Sequence, residues 1–135
     1  MALTKVTSAV LEPTAVTDNI STGSITSDKI ADDAISYAKL GDEFTTAAAL
    51  SASDVDFSTA QVFTKTLTAN DTFTFSNVST GMVKDLVITG NFTLTLPTSV
   101  KVISGTYDGT VSNLIQIVST NGPTEQWASI SQEAV

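Results

Sequence analysis

The residue types that carry most enzyme chemistry are scarce in this chain, and two of them are missing. The 135-residue sequence contains no histidine and no cysteine. Zinc sites built from imidazole or thiolate, disulfides, and catalysis through histidine or cysteine are therefore excluded. An enzyme would need paired carboxylates, or a serine or threonine activated by a lysine base. We find no such catalytic set, so we predict that the chain is not an enzyme and binds no cofactor.

A group of aspartates beside a repeat is the one cluster that could gather around a cation. Their spacing matches no ordered calcium-binding loop, and acidic residues that flank a repeat are usually solvated. We therefore predict no metal site. The aspartates in question are Asp28, Asp32, Asp33 and Asp42.

The repeat itself organises the N-terminal third of the chain. Residues 25–32 (Ile-Thr-Ser-Asp-Lys-Ile-Ala-Asp) recur as residues 35–42 (Ile-Ser-Tyr-Ala-Lys-Leu-Gly-Asp), and residues 15–22 form a weaker copy. Every fifth residue is apolar, a spacing that fits neither a strand nor a helix. So short a unit buries its apolar residues only against neighbours, and one chain has too few copies for a solenoid. We therefore predict a symmetric homo-oligomer. The predicted oligomerisation residues are Ile20, Ile25, Ile30, Ile35 and Leu40.

A single amphipathic helix is the alternative interpretation of this stretch. It would run from about Ser27, as N-cap, to Leu40, and Gly41 would end it. We favour the repeat because a helix leaves the matching Asp-Lys-Ile and Ala-Lys-Leu phases unexplained.

The first thirteen residues predict an extended arm that docks on another protein. Apolar residues alternate loosely with Thr and Ser up to Pro13, whose ring disfavours helix before it. The apolar content exceeds that of typical disordered tails, which are the alternative. The predicted docking residues are Leu3, Val6 and Val10.

The net charge of −8 also limits the choice of partner. Nucleic acids and anionic membrane surfaces attract basic patches, so we predict that the chain binds neither. No signal peptide or transmembrane run is recognisable, which predicts a protein made in a cytoplasm without an export address.

Residues 56–135 predict strands joined by turns. Residues 72–75 and 91–96 alternate between polar and apolar, residues 84–89 and 113–119 contain apolar runs expected to be covered on both faces, and Asn, Asp and Gly mark the turns between them. The predicted fold is all-β: a small antiparallel β-sandwich or jelly-roll-like domain, preceded by the arm (1–13) and by the decad-repeat segment with its connector (14–55). We expect Trp127 to fill the sandwich core, with carbohydrate stacking as the alternative.

This C-terminal region resembles a β-domain of tailed-bacteriophage structural proteins. The resemblance rests on residues 63–77, the Phe-Thr-Leu-Thr-Leu-Pro-Thr-Ser-Val-Lys run at 92–101, the apolar strand 113–118 and the closing Asn-Gly and Gln-Trp at 121–127. The decads resemble the Ile-Thr-x-x-Lys-Ile/Leu repeats near the N-termini of phage fibre and virion-surface proteins. Together these resemblances imply a trimeric component of a virion.

On this basis we expect a homotrimeric capsid decoration or cement protein on the particle surface, assembled in the host cytoplasm. Its arm would bind the major capsid protein and stabilise the shell. The alternative function is a short tail fibre or tail-associated module that recognises a host surface glycan. That function predicts exposed aromatic residues in the loops 104–109 or 121–124, where only Tyr107 is available.

Overall fold

The computed structural model describes residues 30–32 and 34–134, and in this part of the chain regular structure is almost entirely β-strand. The predicted all-β class is therefore confirmed. Helix is limited there to α1 (Asp42–Thr45) and to 3₁₀ turns at Tyr37–Lys39 and Gly122–Thr124. The strands are β1 (Ala48–Ala49), β2 (Asp54–Asp56), β3 (Val62–Thr66), β4 (Asp71–Thr72), β5 (Thr74–Ser76), β6 (Val83–Thr89), β7 (Leu94–Thr95), β8 (Val100–Ser104), β9 (Asn113–Asn121) and β10 (Glu125–Gln132).

The chain divides into two compact units, residues 1–36 and 37–135. All the strands of the described residues lie in the second unit. Strand β1 and the start of β2 fall within residues 14–55, which were predicted to be the repeat segment and connector. The predicted docking residues Leu3, Val6 and Val10, with Ile20 and Ile25, lie outside the described residues.

The strands stack in the manner of a β-solenoid. The chain runs through β2, β3 and β4, and then β5, β6 and β7 lie in parallel beside them in the same order. The central face continues into a six-stranded sheet with the order β1-β3-β6-β9-β10-β8. Two small sheets, β2-β5 and β4-β7, form the other faces.

This pairing corrects the prediction of an antiparallel domain. Of the seven strand pairs among the described residues, five are parallel, and only β6-β9 and β9-β10 are antiparallel. The alternation of polar and apolar residues reports a strand and its faces, but it is the same for both pairing directions. The turn signals at Asn70-Asp71 and Asn77 mark corners of a coil here, since the strands on either side of each do not pair with each other.

The core lies on the inner face of the large sheet. Phe63, Leu86 and Ile115 stand opposite one another on β3, β6 and β9, and all three are buried. Phe57 and Phe73, from the segments that follow β2 and β4, close this core from the other faces. Every second residue of β6 and β9 faces this core.

The outer face of the large sheet differs from the prediction. Strands β6 and β9 contain apolar runs that predict burial on both faces. In the structure Leu86, Ile88, Ile115 and Ile117 are buried, whereas Val83, Leu114 and Val118 are exposed. The sheet is therefore covered by the rest of the described unit on one face only.

A partly buried ion pair holds a corner of the coil. The carboxylate of Asp71 lies 2.7 Å from the Lys65 ammonium and accepts a hydrogen bond from the Ser53 hydroxyl. The Lys65 bond, followed by the Ser53 bond, holds the pKa of Asp71 below its usual value. Lys65 also donates to the carbonyl oxygen of Ala52 and stands over the Phe73 ring.

We expect Asp71→Asn to reduce the free energy of unfolding at pH 7 by about 1–2 kcal/mol. Because the folded-state pKa of Asp71 is lowered, its contribution is fully present above the unfolded-state pKa and is lost as pH falls through the folded value. Denaturant unfolding as a function of pH measures this. The difference between wild type and variant should shrink steadily below about pH 4.

Glu133→Gln is the control, because Glu133 is an exposed carboxylate at the end of the last strand. It should leave the free energy of unfolding within about 0.5 kcal/mol of wild type. A constant difference between Asp71→Asn and wild type down to pH 2 would contradict the role assigned to the Asp71 carboxylate.

Candidate association and binding surfaces

The described residues bring no catalytic or metal-binding group together. No set of three or more Asp or Glu side chains that could hold a metal ion occurs in residues 30–32 and 34–134. Asp32 and Asp42 are exposed, while Asp28 and Asp33 lie outside the described residues.

Three lysines of the second unit, residues 37–135 (the β-unit), make contacts within the fold. Lys65 bonds to Asp71, and Lys101 bonds to Glu125. Lys84 is buried, and its ammonium donates to the carbonyl oxygen of Ala60 at 2.7 Å and to the Gln61 side chain at 3.2 Å. Burial lowers the pKa of Lys84, although nearby carboxylates oppose this shift. Its contacts tie β6 to the start of β3, which is a structural role.

The predicted oligomerisation residues that can be located are exposed. The exposed fraction is 41% for Ile30, 61% for Ile35 and 41% for Leu40. Each of these side chains keeps exposed apolar surface, and removal of such surface from water contributes about 25 cal/mol per Å². These three apolar side chains are therefore exposed to solvent in the single chain.

A second apolar surface crosses the outer face of the large sheet. The strand register places Val83 opposite Val118 and Val118 opposite Trp127. All three side chains are exposed, and the exposed fraction of Trp127 is 43%. We name this set, with its polar neighbours Lys101, Thr120 and Glu125, the Trp127 surface.

The position of Trp127 overturns the prediction that it fills the core. In the antiparallel ladder of β9 and β10, Ala128 faces inward beside Ile117, so its neighbour Trp127 must face outward. The alternation of Gln126, Trp127 and Ala128 contained this information. A lone tryptophan in a short strand nevertheless suggests a core residue, and for Trp127 that prediction is wrong.

The indole of Trp127 is held in one orientation by a carboxylate. Its Nε1–H donates to Glu125 Oε1 at 3.0 Å, and the Thr120 hydroxyl donates to the same oxygen at 3.1 Å. The other oxygen of Glu125 bonds to the Lys101 ammonium. The bonds from Lys101, Trp127 and Thr120, in that order, hold the pKa of Glu125 below its usual value. Glu125 is therefore ionised at neutral pH and fixes the ring.

An apolar groove of about 670 Å³ lies at the end of the β-unit, between β7 and β8. Leu94, Leu96 and Val102 contribute to its walls. Tyr107 also lines it, but this ring is half-buried and its hydroxyl donates to the carbonyl oxygen of Gly90 at 2.7 Å. The one aromatic residue that the glycan alternative could use in these loops is thus engaged within the fold.

Comparison with known proteins leaves the resemblance to phage proteins as an expectation. No protein-family model, no curated protein and no solved structure matches the chain significantly. In the described residues no helix is long and apolar enough to cross a membrane.

Proposed function

We propose that this chain is a structural protein of a tailed-bacteriophage particle, and specifically a homotrimeric capsid decoration or cement protein. The repeat segment forms the trimer axis, and the arm with Leu3, Val6 and Val10 binds the major capsid protein. The β-unit then stands on the particle surface. The resemblances of the decads and of the strand series support the class of protein.

The observation that carries the proposal is the exposure of Ile30, Ile35 and Leu40 in the single chain. These residues follow the step of five that predicts self-association, and their side chains still have surface to bury. A trimer brings three copies of this stripe together about one axis and removes it from water. The abundance of hydroxyl rather than charged side chains suits such contacts, because charge is depleted at the centres of interfaces.

We expect purified wild-type protein to have three times the 14.0 kDa chain mass in solution. The double variant Ile30→Asp with Ile35→Asp should be monomeric, because it replaces apolar contacts with carboxylates that repel one another at the axis. Loss of about 3 kcal/mol per protomer weakens association more than a hundredfold. Light scattering coupled to size exclusion measures both masses.

The control is Ser51→Asp with Thr68→Asp, which adds the same charge at two exposed positions of the β-unit. It should remain a trimer. A trimer that survives the isoleucine substitutions unchanged would exclude the repeat as the axis, and a monomeric wild type would exclude the trimer.

A second candidate function, a tail fibre or tail-associated module that binds a host surface glycan, is favoured by one observation. Trp127 is exposed on the sheet, where a core role was expected. Aromatic rings that lie open to solvent and are held rigid supply large contact area at low entropic cost, a property of many recognition surfaces.

A further inference from the structure

We propose that the Trp127 surface is a binding site for a neutral saccharide, with the indole stacked on a sugar ring and with Lys101 and Thr120 bonding to its hydroxyls. This inference deepens the second candidate function and does not depend on the trimer. It follows from the geometry around the indole, from the polar groups beside it and from the charge of the chain.

A hydrogen bond to Glu125 orients the indole ring of Trp127. The Nε1–H bond to Glu125 holds the indole, and Glu125 is in turn held by Lys101 and Thr120. A side chain that is already ordered loses little rotamer freedom when a ligand binds. The indole is therefore prepared for a flat ligand before that ligand arrives.

The charged groups beside the indole favour a ligand with hydroxyl groups over an apolar protein surface. Lys101 and Glu125 form an exposed ion pair within reach of the indole, with side chains 61% and 32% exposed. A flat apolar protein surface laid over Trp127 would strip water from both ions, which is unfavourable. A sugar ring offers C–H groups to the indole and hydroxyls at its rim. Those hydroxyls replace the water around the ion pair.

The hydrogen-bonding capacity of the site fits hydroxyl groups. The Lys101 ammonium has three N–H donors, of which one serves Glu125, so donors are left for sugar oxygens. The Thr120 hydroxyl donates to Glu125 and can still accept a hydrogen bond. Glu125 itself has its Oε1 occupied by two donors, which assigns it to holding the ring.

The row beside Trp127 gives the site its length. Val118 and Val83 lie one and two strands away on the same face, so the apolar row extends roughly 10 Å from the indole. Gln116 and Asp85, which bond to each other at 3.2 Å, form the neighbouring row of the outer face. The surface therefore accommodates more than a single sugar ring.

The charge of the protein selects against acidic saccharides. The chain carries a net charge of −8, and the carboxylates of Asp85 and Glu125 lie on this face against the one ammonium of Lys101. Polyanionic chains would be repelled at long range. We therefore assign a neutral ligand.

The chain contains one tryptophan, so its intrinsic fluorescence reports this site alone. We would titrate full-length protein with maltohexaose and with chitohexaose, and compare hexagalacturonic acid as the acidic probe. At least one neutral probe should change the emission and protect Trp127 from iodide quenching, with a Kd on the order of 1 mM or below. Unchanged emission and unchanged quenching with both neutral probes, or stronger binding of the acidic probe, would overturn the proposal.

Calorimetric titration of variants then tests the residues. Trp127→Ala should weaken binding at least about tenfold, and Trp127→Phe should weaken it less because it keeps a stacking ring. Phe92→Ala is the matched control, since Phe92 has the same 43% exposure and lies outside the sheet. It should bind as wild type. Equal losses in both alanine variants would overturn the assignment.

The solution mass separates this proposal from a protein interface and from the trimer proposal. Trp127→Ala should keep the wild-type mass, whereas a fall in mass would identify the Trp127 surface as a contact between copies and overturn saccharide binding. The double isoleucine variant should still bind the saccharide. Failure of the trimer axis would therefore leave the saccharide result unchanged.

Discussion

A Gly105→Ala variant is expected to lose about 3–5 kcal/mol of folding free energy and to fold poorly at 37 °C. Gly105 follows β8, where its backbone packs closely against that of the neighbouring strand β10 with φ at +73°. A β-carbon there would overlap the carbonyl oxygen of Ile130 and lie 2.9 Å from the carbon of the same carbonyl. Both atoms belong to the backbone of a paired strand, so neither can move aside without disturbing the sheet. Denaturant unfolding measures the loss.

Gly81→Ala separates the clash from the cost of the backbone conformation. Gly81 also has a positive φ, at +89°, but a β-carbon built on it meets nothing within 4 Å. This control should lose only the roughly 1–2 kcal/mol that a left-handed conformation costs an L-residue. Equal destabilisation of the two alanine variants would contradict the close contact between the backbones of Gly105 and β10.

Asn113→Leu is expected to destabilise the protein by a similar amount, about 3–5 kcal/mol. Asn113 is fully buried at the start of β9, and its side chain satisfies the backbone of the preceding loop. Its Oδ1 accepts from the Asp108 N–H at 2.9 Å, and its Nδ2 donates to the carbonyl oxygens of Asp108 at 2.7 Å and Val111 at 2.9 Å. Leucine keeps the branched shape of the side chain but leaves these groups without partners, and each such loss costs about 1–3 kcal/mol.

Asn70→Ala is the matched control for Asn113. Asn70 is exposed, and its Oδ1 accepts a single bond from the Thr93 N–H at 3.0 Å. Because water can replace that bond, we expect a loss below about 1 kcal/mol. Unfolding by urea, with hydrogen exchange of the Asp108 amide as a local probe, compares the two variants. Comparable effects would show that the loop does not depend on Asn113.

The sequence predicted where the strands lie along the chain better than it predicted which strands pair and in which direction. The apolar runs in β6 and β9 did not show that Val83, Leu114 and Val118 are exposed. Alternation in β5 reports which residues face the core, because a strand has a period of two whatever it pairs with. It contains no information on pairing direction, so a parallel coil and an antiparallel sandwich remained indistinguishable. Corner residues such as Asn70 and Asn77 added to the error, because a corner of a coil and a hairpin use the same turn chemistry.

Of the two candidate surfaces, only the apolar residues of the repeat segment could be predicted from the sequence. The step of five singled out Ile30, Ile35 and Leu40 from spacing alone; these residues are exposed, and their role in association stays a prediction. The Trp127 surface was missed, because its Val83, Val118 and Trp127 come from three strands whose register follows from long-range pairing. The only local signal that Trp127 faces solvent was its position between Gln126 and Ala128, which face inward. The composition of a strand does not reveal whether a second layer covers it.

The parallel stacking of β2, β3 and β4 against β5, β6 and β7 makes the height of the unit adjustable. Each coil contacts the next through the same three faces, so an in-frame duplication of one coil would add a layer without changing the sheet beyond it. Relatives of different length could thus arise by gaining or losing whole coils.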